Sequence, residues 1–426
     1  MTGEDAEWLS EDDARILGLE SDAITGHTLK LMLLEPGEPL DLDRLRSDVA
    51  GRLAGRPRAT QRVVDGSDGP RWAHDPTFDI SAHVRRRATS GAVTLTELWH
   101  SVGELMAEHL DHNRPLWTFD VLGPLADGRE AIAARIHHAM ADGIAGVKFL
   151  DSVLFDPHPD PPQRVGSAAA GAAPSRLTEA RRMPEALLRE LGRPGPRSPF
   201  DRPVGATREL AFTVVPLAGL KAIGASRPHR ATVNDALLAV VAGGLRDWLS
   251  PDGAAVHRLR AQVPVSLHHR DETAADPGNR DSFINVDLPL AERDPLTRLD
   301  LIRAETARRK QLGDAEELFD LFHALGRLRR VGAAAQRLAG SAREFSVAIS
   351  NVPGPAASVG VAGRRVLHLF SSSEPAMHHA LRISAISCAG DVGIGLCTDP
   401  HALPDVARLA DRIEASYTDL HTVALR

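Results

Sequence analysis

Residues 156–207 change the character of this chain and limit how it can fold. They are loaded with Pro, Gly, Ala and Arg, from Asp156-Pro-His-Pro-Asp-Pro-Pro to Gly192-Arg-Pro-Gly-Pro-Arg-Ser-Pro. Proline removes backbone donors and glycine adds chain entropy, so such a stretch separates packed units. One helix-competent piece, 177–191, interrupts it. At 426 residues the chain also exceeds what one hydrophobic core usually serves. The expected organisation is a first half over 1–155, a crossover linker over 156–207 and a second half over 208–426.

In the first half, 28–34 reads as a strand, 40–53 and 95–110 as helices, and 72–84 as irregular and partly extended. Pro115 forbids continuing the second helix, and Leu116-Trp117 opens a strand to residue 122. Ile132, Ala134 and Ile136 alternate as in a buried strand, while Val147, Leu150 and Leu154 follow a helical stripe. His137-His138-Ala139-Met140-Ala141-Asp142-Gly143 therefore sits where a strand hands over to a helix.

A neutral imidazole at such a junction suits proton removal near neutral pH. Other readings stay open. The histidines can be packed and hydrogen-bonded, Asp142 can cap the helix, and Gly143 can relieve crowding. His138 and Asp142 could ligate a metal, but no companion has ligand spacing and the pairs His268-His269 and His378-His379 are unplaced, so no metal is expected.

The second half begins with an extended segment over 208–215 and a helix over 217–225. Thr232 or Asn234 can cap a long apolar helix reaching Trp248. Strands are expected at 259–266, 283–288 and 345–350, and a hairpin at 381–398 turning at Gly390-Asp391. Two or three helices fill 295–340 and a last one spans 405–417.

A net charge of -7 argues against a nucleic-acid surface, and 4% aromatic content argues against base stacking. The two cysteines, Cys388 and Cys397, lie in a late apolar segment, which predicts no disulfide framework and a reducing, cytoplasmic compartment. Residues 236–245 are apolar but too few to span a bilayer, and 1–13 carry no signal-like core, so any membrane contact is expected to be peripheral.

Together, His137-His138-Ala-Met-Ala-Asp142-Gly143, Pro115-Leu116-Trp117, Asn234-Asp235, Val263-Pro264-Val265-Ser266, Gly278-Asn279 and Asn351-Val352-Pro353-Gly354-Pro355 resemble, in order, the bacterial wax ester synthase/acyl-CoA:diacylglycerol acyltransferase family, within the coenzyme A-dependent acyltransferase superfamily. The usual Pro-Leu-Ser opening is not found; Trp8-Leu9-Ser10 stands nearest to it.

The resemblance implies an α/β fold of two similar chloramphenicol-acetyltransferase-like halves, each a mixed sheet backed by helices, with a tunnel between them. It implies transfer of a fatty acyl group from acyl-CoA, as substrate and with no cofactor, to a hydroxyl acceptor such as a long-chain alcohol or diacylglycerol. His138 would be the base, with His137 supporting. Asp142 would hold the loop through an arginine, Gly143 would leave space for substrate, and Asn234 and Asp235 would support the site. The alternatives are a condensation enzyme acting on an amine or another hydroxyl, and a non-catalytic acyl-chain binding protein. No Gly-x-Ser-x-Gly elbow occurs, and Cys397 four residues before His401 is read as chance spacing.

Overall fold

The computed structural model describes residues 7–66, 69–89, 91–157, 198–249, 256–266, 281–312 and 345–426. These form β1 (Glu7–Trp8), α1 (Glu11–Leu17), β2 (His27–Leu34), α2 (Leu42–Arg52), β3 (Gln61–Gly66), β4 (Gly69–His74), α3 (Ile80–His83), β5 (Val84–Arg86) and α4 (Leu95–Ala107). Next come β6 (Trp117–Leu122), β7 (Ala131–His137), α5 (Gly143–Val153), β8 (Glu209–Pro216), α6 (Leu217–Ala225), α7 (Val233–Leu249), β9 (Leu259–Ser266), β10 (Asp281–Leu288) and α8 (Pro295–Leu312). The chain ends with β11 (Val347–Val352), β12 (Gly360–Val361), β13 (Arg364–Ser373), β14 (Leu381–Cys388), β15 (Asp391–Thr398) and α9 (Val406–Ala424). The expected helices at 177–191 and beyond 312, and Gly278-Asn279, lie outside the described residues.

Two six-stranded mixed sheets dominate, ordered β12-β13-β2-β7-β6-β5 and β10-β9-β11-β14-β15-β8, beside a small β1-β4-β3 sheet. The α/β expectation holds, and the 72–84 region is more regular than its sequence suggests, since β4 and α3 occupy it. Several elements were not expected, among them β1, α1, β3, β12 and β13, and the last two matter most. Residues 360–373 belong by sequence to the second half, yet β12 and β13 complete the first sheet, with Ser371 opposite Lys30 and Leu369 opposite Met32.

Both faces of the first sheet are covered, which is why all eight positions of β2 are buried. Leu29, Leu31 and Leu33 pack toward Leu98, Val102 and Leu105 of α4. Met32 and Leu34 pack on the opposite face, with Leu45 and Val49 of α2 and Leu150 and Val153 of α5. Each such leucine contributes about 1.5–3 kcal/mol relative to exposure. Helix α4 begins at a reciprocal Thr94/Glu97 capping box, the strongest local reason for its start. In the second half, α7 is apolar nearly all round because α6, α8 and α9 flank it and the sheet lies beneath.

The sheets meet closely where β15 lies over β13. A Cβ at Gly393 would stand 2.1 Å from Leu369 O, and one at Gly395 2.2 Å from Ser371 O. The β14–β15 turn consists of Ala389 and Gly390, one residue earlier than expected, because Asp391 already pairs with Cys388. Both turn residues have positive φ, at 49° and 106°.

Candidate functional site

The double-histidine turn is built from three sides. Strand β7 ends at His137, whose backbone N–H donates to Leu116 O at 3.0 Å, giving the Pro115-Leu116-Trp117 segment a direct hold on it. The next N–H, of His138, donates to Gly26 O at 2.9 Å. The His137 carbonyl then accepts from Met140 and Ala141, so the chain turns sharply before α5. Asp142 is the N-cap, its Oδ1 accepting the Ala145 N–H at 2.7 Å.

The two imidazoles part at this turn. His137 is fully buried; its Nδ1 accepts the Ala139 N–H at 3.1 Å, and its Nε2 lies 2.7 Å from Glu20 Oε1. Accepting at Nδ1 leaves the proton on Nε2, facing the carboxylate. Gly26, at φ 72°, lies against this ring; a Cβ there would stand 2.2 Å from Nε2. Glu20 also meets His112 Nε2 at 3.0 Å and His109 Nδ1 at 3.4 Å. Burial raises the Glu20 carboxyl, but the His112 and His137 contacts outweigh that and hold it down to about 2.

His138 faces the other way. Among the described residues no hydrogen bond engages its ring, and the residue is partly accessible. Burial, then Arg382, His137 and Lys30, push its imidazolium down to about 3, leaving a neutral ring with a free lone pair at neutral pH. That is the state a general base requires.

Asp142 departs from the expectation. No arginine pairs with it among the described residues, and its hydrogen bonding is that of a helix cap. Arg135, inside the motif strand, turns to the α4 side and donates to Leu105 O and Glu108 O. Gly143 admits Val352 of the Asn-Val-Pro-Gly-Pro segment, whose Cγ2 would be 3.1 Å from a Cβ there. At the start of α7, Asp235 accepts from the N–H and hydroxyl of Thr232 and from the Thr306 hydroxyl at 2.6 Å. Asn234 is half-buried, and no hydrogen bond or ion pair joins either residue to the histidine turn.

Several residues here were not singled out from the sequence. Glu374, just after β13, accepts the Thr25 and Gly26 N–H groups at 2.7 Å each, so the second half clamps the strand entry that holds His138. Lys30, buried in β2, donates to Ser371 Oγ at 2.9 Å. A lysine inside the apolar run Thr-Leu-Lys-Leu-Met was a visible signal; Glu20 and Glu374 had none. His379 is stacked on Phe345, and His268-His269 lie outside the described residues. Among the described residues no three His, Cys, Asp or Glu side chains gather to hold a metal. Burial pushes the Cys388 thiol up to about 11 and Cys397 up to about 12, which disfavours a thiolate nucleophile.

Comparison with known proteins matches residues 9–195 to the wax ester synthase/diacylglycerol acyltransferase catalytic domain and 277–421 to the C-terminal domain of the same family. The diacylglycerol O-acyltransferase tgs2 of Mycobacterium tuberculosis is 30% identical over 82% of this chain and 83% of its own length. The tgs1 enzyme of the same organism is 29% identical over 93% of this chain and 91% of its own. Among solved structures, the wax ester synthase/diacylglycerol acyltransferase of Marinobacter aquaeolei VT8 superposes with a TM-score of 0.74 at 22% identity, covering 99% of this chain and 100% of that one. The first condensation domain of the calcium-dependent antibiotic synthetase follows at 0.64 and 16%, covering 99% and 97%, which shows a shared fold. The chain belongs to the wax ester synthase/diacylglycerol acyltransferase family and is an acyltransferase.

Proposed function

We propose that the chain moves a fatty acyl group from acyl-CoA directly to a hydroxyl acceptor, a long-chain alcohol or diacylglycerol, with His138 as general base. The observation that carries this reading is the contrast inside the histidine pair: His137 accepts a hydrogen bond at Nδ1 and holds Nε2 2.7 Å from the Glu20 carboxylate, whereas the His138 ring is neutral, partly accessible and without a hydrogen bond among the described residues. A thioester is already activated, so the acceptor needs only to lose its proton. The hydroxyl oxygen attacks the carbonyl carbon as its proton passes to His138; the tetrahedral adduct then expels the thiolate, which takes that proton back. No covalent enzyme intermediate and no cofactor enters.

His137 and Glu20 fix the turn, Asp142 organises the first turn of α5, and Gly143 lets the Val352 segment close over it. Asp235, with Asn234 beside it, supports the site at a distance by tying α7 to α8. The relatives named as diacylglycerol O-acyltransferases favour a hydroxyl over an amine. Such acceptors dissolve in lipid, so we place the protein in the cytoplasm with peripheral contact to a membrane or lipid body; no described helix is long and apolar enough to cross a membrane. We take 1–155 and 208–426 as the two working halves, joined through 156–207.

Free thiol release from palmitoyl-CoA, measured with hexadecanol, dioleoylglycerol or hexadecylamine, tests the reading. Release that depends on either hydroxyl compound is expected. Release with the amine alone would transfer the chain to condensation chemistry, and acyl-CoA binding without release would make it a binding protein.

A further inference from the structure

We propose that Lys30 is a catalytic cation of this site, its ammonium placed to receive the thioester oxygen as that oxygen becomes an alkoxide, with Arg382 as a second positive charge beside it. The inference rests on the reaction proposed above and names the group that answers the negative charge formed when His138 takes the acceptor's proton.

Strand geometry puts these groups on one side of the first sheet. In β2, Met32 and Leu34 face the core that contains α5, and Lys30, two residues before Met32, shares their face. In β7, Ile132, Ala134 and Ile136 point the same way, and the alternation carried one step past the strand end brings His138 there too. In β13, Ser371 follows Leu369 on this face and stands opposite Lys30 in register. Strand β14 contributes from the second sheet: Ile386 and Cys388 reach into the same core, and Arg382 shares their parity.

The state of Lys30 is hard to explain by stability. It is 2% exposed, yet its hydrogen bond is to the neutral Ser371 hydroxyl, and no carboxylate pairs with it among the described residues. An ammonium carries three N–H donors, so two are left for another acceptor. Removing such a charge from water without a counter-ion is costly, and an apolar side chain of similar size would pack there at no such cost. Arg382 is half-buried, with its Nε buried and without a hydrogen-bond partner among the described residues. The charged and titratable groups acting on Lys30 are Asp142 at the start of α5 and Arg382 on β14, and its own charge is felt by His138. Burial outweighs Asp142 and brings the Lys30 ammonium down to about 8, so it is charged at neutral pH and loses its proton just above it.

In the step itself, the acceptor oxygen bonds to the carbonyl carbon, the acceptor proton goes to His138, and the carbonyl π electrons move onto the oxygen facing Lys30. When the carbon–sulfur bond breaks, those electrons return to re-form the carbonyl and His138 protonates the thiolate. Lys30 exchanges no proton; it supplies charge and one or two hydrogen bonds that strengthen as the oxygen becomes negative.

The test uses the full chain, Lys30→Met and Ser371→Ala, with palmitoyl-CoA and hexadecanol, from pH 6 to 10, alongside melting curves. Lys30→Met is expected to lower kcat by about 10²–10³-fold, the usual cost of one oxyanion donor. KM for palmitoyl-CoA should hold and the melting temperature should not fall. The unaltered chain should lose rate above about pH 8, and Lys30→Met should lack that limb. Ser371→Ala should cost about fivefold in kcat, as for one lost hydrogen bond, and should move the same limb. A Lys30→Met protein with kcat near that of the unaltered chain, or one that keeps the alkaline limb, overturns the proposal. Should Lys30→Met not fold, a Ser371→Ala protein with full rate and an unmoved limb overturns it instead. Loss of the proposal alone leaves the unaltered chain active with hexadecanol; an unaltered chain inactive with every acceptor removes the underlying reaction as well.

Discussion

Two helix starts in this molecule carry the same kind of carboxylate and treat it differently. At α7, Asp235 is buried and fully used, accepting from Thr232 twice and from Thr306 across to α8. At α5, Asp142 makes one cap bond, is half-buried, and follows by four residues an imidazole with which no described residue makes a hydrogen bond. A junction built for stability satisfies its polar groups. One built for chemistry keeps a lone pair in reserve, and a neighbour such as His137 then has to be held firmly so that its twin can be left open.

That contrast can be broken by experiment. The largest effect belongs to His138→Ala, which should lower acyl transfer by about two to four orders of magnitude while leaving the melting curve in place; near-normal turnover would remove the base assignment. Asp235→Ala should do the reverse. With its bonds to Thr232 and Thr306 gone, it should cost about 2–3 kcal/mol in urea unfolding with only a few-fold loss of kcat as the distant support loosens, and a large loss of rate at full stability would erase the distinction between the two junctions. Asp142→Ala should fall between them, at about 1 kcal/mol together with a reduced kcat, since the turn bearing His138 loosens.

The smallest effect is a pH dependence of stability. His138 ordinarily titrates near 6.5 and here only near 3, so between these values the unfolded chain binds more protons and stability falls as pH is lowered. Glu20, held at about 2 against an ordinary 4.5, adds the same sign lower down. From pH 7 to 6 the His138 contribution is under about 1 kcal/mol, and His138→Gln should flatten that part of a denaturation-versus-pH curve.

The turn itself was legible because its neighbours announce themselves: Ile132, Ala134 and Ile136 repeat every second residue, and Val147, Leu150 and Leu154 follow a helical stripe. The cap by Asp142 was visible among the open readings, and the arginine expected to hold it is not found among the described residues. Illegible were the contacts made over long sequence distance. Glu374 reaches Gly26 across 348 residues, and no local pattern encodes such a bond. Strand β13 escaped for a related reason: Arg-Arg-Val-Leu-His-Leu-Phe-Ser-Ser-Ser has no clean alternation, and a register shift between Val366 and His368 breaks what there is. Lys30 was legible as an oddity, but its meaning depends on Ser371 and Arg382, which only the folded sheets bring near it.

The late strand β13 also governs how the protein can be made. During synthesis, β2 emerges well before its neighbour on that side, and until residues 364–373 arrive it presents an open row of amide and carbonyl groups flanked by leucines. The first 155 residues expressed alone should therefore be adhesive rather than independent. The reactive half thus stays unfinished until late in synthesis, and supplying residues 198–426 as a separate polypeptide should restore solubility to the isolated first half by donating the missing strand.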